Sequence, residues 1–226
     1  MERDDSVRIV LDHGYVRLVD HMGDDISVVR AARVSYNAQP RGDGSDEKLI
    51  GYLMKNKHTS PFEHVTFTFE VKAPIFVFRQ WHRHRTWSFS EVSARYTELP
   101  DEYYIPELRS ITTQSTDNKQ MRTQQEHPSA ELIQNIIFAA GNTIFDAYKE
   151  MLKIGCPREL ARSVLPLGTY SKMFATVDLH NLFHFLRLRL HEHAQHEIRV
   201  YAEAMMQLIE PIVPMCVGSF YGKGTL

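Results

Sequence analysis

Cysteine is scarce in this sequence, with only Cys156 and Cys216 among 226 residues. That scarcity excludes a disulfide scaffold and a cysteine-rich zinc framework, and it fits a reducing compartment. Excess charge is also missing: 26 Lys and Arg stand against 28 Asp and Glu, a formal net charge of −2. Bulk attraction to nucleic acid or anionic membranes is therefore not expected. No apolar run approaches the roughly 20 residues needed to span a bilayer. The acidic start, Met1-Glu2-Arg3-Asp4-Asp5, lacks the basic-then-apolar pattern of a secretory leader. The expectation is a soluble cytoplasmic protein. With 43% hydrophobic residues and no repeat or linker, the chain reads as a single domain over residues 1–226.

What is present is patterned for a mixed α/β (α+β) fold, a small and mostly antiparallel sheet packed by several helices. Arg8 to Val19 holds β-formers around His13-Gly14, a hairpin or edge strand. Ser27 is read as the cap of a short helix through Val34, and Asp46 with Glu47 opens another to about Lys57, with a loop between them. Val65, Phe67, Phe69 and Val71 alternate with polar residues, as in a strand with one buried face. Pro74 starts a helix carrying Arg79, Arg83, His84 and Arg85 towards its end. Residues 110–128, rich in Thr, Gln, Ser and Asn, read as a mobile loop. A helix follows from Ala130 to Ile154, ended by Gly155, and Pro157 suits the start of a short helix to about Val164. Thr169 to Val177 is strand-like. Asp178 caps a helix to about His191, and a last helix covers about Ala194 to Leu208.

The chemistry concentrates in residues 80–96, which hold three arginines, two histidines, three serines and Glu91 between Gln80 and Tyr96. A guanidinium grips two phosphate oxygens at once, and serine hydroxyls complete an anion cradle. The plainer reading is a solvated basic helix end. Trp87 and Phe89 favour a site that holds a ring together with its phosphate.

Arg83-His84-Arg85, seven residues, Ser93 and then Arg95-Tyr96 resembles the signature of the flavin-dependent thymidylate synthases. His58-Thr59-Ser60-Pro61-Phe62-Glu63-His64, Ala31-Ala32-Arg33-Val34-Ser35, Pro157-Arg158-Glu159-Leu160-Ala161-Arg162 and Leu186-Arg187-Leu188-Arg189 resemble further family segments in order. Ser90 departs from the asparagine common in that signature. The resemblance implies reductive methylation of deoxyuridine monophosphate (dUMP) to thymidine monophosphate (dTMP). It further implies a carbon from 5,10-methylenetetrahydrofolate, FAD as cofactor, NADPH as reductant and a homotetramer. It assigns Ser60, Arg83, His84, Arg85, Glu91, Asp178, Leu179, His180 and His184 to FAD. To the nucleotide it assigns Gln80, Arg83, Glu91, Ser93, Arg95, Arg162 and Arg189, with Arg189 catalytic at the pyrimidine edge. At helical spacing, Leu182, Phe183, Leu186 and Leu190 form an apolar stripe flanked by His180, His184 and Arg187 on one side and Arg189 on the other.

Two other readings compete. His180 and His184 at i, i+4, with His191, His193 and His196, have zinc-like spacing but lack a His-Glu-x-x-His element or a motif-placed third ligand. The arginine cluster beside Trp87 and Phe89 also suits a phosphate or nucleic-acid binding module, which the acidic balance disfavours. Neither cysteine lies in a nucleophile motif, and no general base stands beside Ser93 by spacing, so no side chain is expected to attack the pyrimidine.

Overall fold

The computed structural model describes residues 5–222; the acidic residues 1–4 weighed above lie outside them. Strands β1 (Val7–Val10) and β2 (Gly14–Met22) form the expected hairpin, with register from Val7↔Arg17 to Val10↔Gly14. Helix α1 (Asp25–Arg33) is capped by Asp24 rather than Ser27. Ser27 instead occupies the third helical position and bonds back to the Asp24 amide, a reciprocal capping box. Helix α2 (Gly44–Lys55) starts two residues before Asp46, with Asp43 as its cap. The Asp46 carboxylate turns inward, accepting from Arg33 at 2.6 Å and from the Gly42 amide at 2.7 Å.

Strand β3 (Thr66–Pro74) follows the alternation, with Phe67, Phe69 and Val71 fully buried. Pro74 leads into α3 (Ile75–Trp81), which stops well before Arg85. Arg83, His84 and Arg85 therefore lie beyond the helix, because burial of His84 turns the chain back toward the core and into β4 (Ser88–Glu91). The 110–128 stretch, expected to lack regular structure, contains a hairpin of β5 (Thr112–Gln114) and β6 (Arg122–Glu126). Helix α4 (Ala130–Lys153) ends before Gly155, whose φ of +86° favours glycine. Gly141 is required inside α4: a Cβ there would fall 2.0 Å from Cε2 of Tyr103. Leu132 and Ile136 on the same helix are exposed.

Short α5 (Arg158–Ala161) and a 3-10 turn over Arg162–Val164 precede β7 (Tyr170–Asp178). Helices α6 (Leu179–Arg189), α7 (His196–Ile209) and α8 (Pro214–Tyr221) complete the described chain. The main sheet runs β1-β2-β3-β7-β4 with every pair antiparallel. Its central pair is in register from Thr66↔Asp178 to Pro74↔Tyr170. Helices α6, α7 and α8 contribute Leu182, Phe185, Ile198, Tyr201, Met205 and Phe220 to the core beside this sheet. No described helix is long and apolar enough to cross a membrane.

Candidate active site

Two consecutive chain reversals bring the signature onto α6. Trp81, at the end of α3, is fully buried and stacks on Phe185 of α6 with ring centroids 4.9 Å apart. Its carbonyl accepts from the His84 amide at 2.9 Å, which folds the signature segment back over that helix. The His84 ring then lies edge-on to Phe185 at 4.9 Å and to His184 at 6.0 Å. From the last turn of α6, the half-buried Arg189 donates its Nε proton to His84 Nε2 at 3.1 Å. Its Nη2 donates to the Gln80 carbonyl at 3.3 Å.

Burial pushes the His84 imidazole down to about 4, with the Arg189 and His184 charges acting in the same direction. It is thus neutral near pH 7, and as acceptor at Nε2 it carries its proton on Nδ1. Burial also lowers the affinity of Arg189 for its proton. The unfolded chain takes up a proton at His84 near its ordinary value of about 6.5, so stability falls as pH drops from there towards about 4. Urea titrations at pH 7 and pH 5 are expected to show a smaller pH-dependent loss for His84→Gln than for the parent. An unchanged slope would show that this ring is not neutral in the folded state.

Asp178 performs its expected capping of α6, accepting from the Asn181 amide at 2.9 Å. The Leu179 amide bonds the Val65 carbonyl at 2.8 Å, and Phe62 meets Phe183 with centroids 6.5 Å apart. The turn bearing Ser60 is thereby seated against α6, on which His180 is half-buried and His184 exposed. Arg83, Arg85 and Glu91 are exposed, and among the described residues their side chains make no hydrogen bond or ion pair.

A second group gathers at α5, where Arg95 pairs with Glu159 at 3.6 Å and Arg162 Nε donates to the Glu159 carbonyl at 3.4 Å. Ser93 Oγ accepts from the Arg95 amide at 3.3 Å and has no carboxylate or imidazole partner among the described residues. No hydrogen bond or ion pair joins this group to the His84–Arg189 group among the described residues. Cys216 is buried, and burial together with Asp25 raises its thiol far above the ordinary value, so it is not a thiolate. Among the described residues, no three His, Cys, Asp or Glu side chains are grouped so as to hold a metal ion.

Four residues escaped the sequence reading. Gln195 Oε1 accepts from Gln80 Nε2 at 2.6 Å, and Glu197, Arg122 and Tyr104 stand behind it. No local pattern announces them, since they come from three separate segments.

A signature arginine cluster beside a helix that ends in another arginine defines the class of site whose guanidinium groups can hold an anion. Comparison with known proteins narrows that class. The sequence profile described as "Thymidylate synthase complementing protein" matches residues 17–215. The flavin-dependent thymidylate synthase of Treponema denticola is 48% identical over 215 residues, covering 93% of this chain and 80% of that protein. That of Thermus thermophilus is 47% identical over 213 residues, covering 93% and 77%. The crystal structure of the UMP/dUMP methylase PolB from Streptomyces cacaoi, bound with 5-Br dUMP, superposes with a TM-score of 0.88 at 36% identity. The match covers 96% of this chain and 98% of that one. The chain belongs to the flavin-dependent thymidylate synthase family.

Proposed function

We propose that the protein methylates dUMP to dTMP with FAD as its cofactor, 5,10-methylenetetrahydrofolate as carbon donor and NADPH as reductant, in the cytoplasm. The observation that carries this reading is the contact between Arg189 and His84 beside Gln80, because it joins a residue assigned to the flavin to two assigned to the nucleotide. The donor set suits FAD: Arg83 and Arg85 are cations without a side-chain partner among the described residues, apt for a diphosphate, and the neutral His84 ring lies against an aromatic wall. When bound and reduced by NADPH, FAD supplies the hydride.

The protein's own residues bind and polarise. Arg85, Glu91, Ser60, Asp178, Leu179, His180 and His184 are assigned to hold the flavin, and Arg83 and Glu91 to meet both ligands. Gln80, Ser93, Arg95 and Arg162 orient the nucleotide. Arg189 faces the pyrimidine edge, where a partly desolvated guanidinium favours the ionised ring nitrogen and makes C5 more nucleophilic. Ser93, without a base beside it, acts as a contact and not as a nucleophile.

Self-association into a homotetramer belongs to the same proposal. The Arg95–Arg162 group and the His84–Arg189 group are unlinked within one chain, which suits sites completed by neighbouring subunits. Helix α4 also presents Leu132, Ile136, Ala139, Ala140 and Ala147 on one exposed face.

Arg83→Ala tests the shared anion role. Losing one charge-assisted contact, worth about 1.5–3 kcal/mol, is expected to weaken FAD and dUMP binding by about 10- to 100-fold each. Equilibrium titration of both ligands measures it. Normal affinity for both would remove Arg83 from the site.

A further inference from the structure

Glu197 is only 2% exposed, at the first turn of α7, and every contact of its carboxylate is with a donor. Arg122 Nη2 approaches Oε1 at 2.8 Å and Oε2 at 2.9 Å, the Tyr104 hydroxyl donates to Oε1 at 3.1 Å, and Gln195 Nε2 donates to Oε2 at 2.8 Å. Burial opposes ionisation, but these partners outweigh it and hold the carboxyl below its usual range. An ionised carboxylate only accepts hydrogen bonds. Gln195 must therefore turn its NH2 towards Glu197 and its carbonyl away. That carbonyl meets the Gln80 side chain at 2.6 Å, so Gln80 in turn must present its NH2, leaving its own Oε1 without a protein partner among the described residues.

We infer that Glu197 and Gln195 are positioning residues that set the polarity of Gln80, fixing its side-chain oxygen as an acceptor for a sugar hydroxyl of the nucleotide. The inference rests on the assignment of Gln80 to the nucleotide site. The same relay anchors the β5-β6 hairpin, through Arg122, to the helix start that orients Gln80. A reversed Gln80 amide would aim a donor at a donor, and binding would lose that contact.

The test is a double-mutant cycle on the FAD-loaded enzyme with dUMP, using Gln195→Ala, Gln80→Leu and the pair. Gln195 is exposed, so its truncation leaves the fold intact. The loss of one oriented neutral hydrogen bond is expected to raise KM for dUMP by about 3- to 10-fold in Gln195→Ala, with kcat and flavin content unchanged. Adding Gln195→Ala to Gln80→Leu is expected to raise KM no further. Glu197→Gln, which can donate or accept at that position, is expected to raise KM in the same way. Repeating the cycle with the 3′-deoxy analogue of dUMP tests the donor: a Gln80→Leu penalty that disappears identifies the sugar hydroxyl, and one that persists would overturn it. Multiplying effects in the double variant, or an unchanged KM in Gln195→Ala, would overturn the relay. An unchanged KM in Gln80→Leu with normal turnover would overturn both the relay and the assignment of Gln80. Absence of dUMP turnover in the parent enzyme would instead sink the proposed activity.

Discussion

Arg189→Lys is expected to lower kcat for dUMP methylation by about 10- to 100-fold, the equivalent of about 1.5–3 kcal/mol for a charge-assisted contact, while KM for dUMP changes little. The guanidinium is held at two points, Nε on His84 and Nη2 on the Gln80 carbonyl, which fixes its plane and leaves Nη1 without a partner among the described residues. An ammonium keeps the charge but lacks a planar fork, so it cannot keep both anchors and still aim a donor at the ring edge. An interaction made mainly as charge develops on the pyrimidine appears in kcat, whereas one made equally with the bound substrate appears in KM. Steady-state kinetics separates the two. A variant that raises KM alone would show that Arg189 binds the nucleotide without favouring its ionised ring.

Trp81→Ala is expected to cost about 3–5 kcal/mol of stability, because it removes a fully buried indole from a packed interior. The ring touches Phe185 at 4.9 Å, Trp87 at 5.9 Å and Tyr201 at 6.0 Å, and so ties together α3, the signature segment, α6 and α7. Truncation loses the transfer energy of the side chain and leaves a cavity under the His84 turn. Urea unfolding of parent and variant measures the difference. A loss below about 1 kcal/mol, outside the range for such truncations, would mean that this aromatic cluster does not hold the site in place.

The local parts of this structure were legible in the sequence. Alternation at Phe67, Phe69 and Val71 gives β3 its buried face without reference to anything distant, and Asp178 caps α6 through an amide three residues away. Two of the readings that failed depend on partners far along the chain. The β5-β6 hairpin has few apolar side chains of its own and is held by Arg122 on Glu197, 75 residues later. Helix α8, which lies beyond the last helix expected from the sequence, has no side-chain cap of its own, and its start is satisfied by the Asp25 carboxylate, which accepts from the Met215 amide 190 residues away. Arg83 and Arg85 suit a helix by propensity, yet the burial of His84 ends α3 at Trp81. At α1 the cap and its reciprocal partner were exchanged, since aspartate and serine both serve in either position.

The family motifs assign residues to the proposed site, whereas the polarity we infer for Gln80 comes from Gln195 and Glu197, which no motif includes. The direct test of the account is a single anaerobic experiment: the purified protein, its flavin reduced with NADPH and the excess removed, is mixed with dUMP and 5,10-methylenetetrahydrofolate. Flavin absorbance and nucleotide mass are followed together. Absorbance of the oxidised flavin is expected to return in step with dTMP formation, and not to return when dUMP is omitted. Formation of dTMP by protein free of flavin, or flavin reoxidation with no methylated nucleotide, would contradict it.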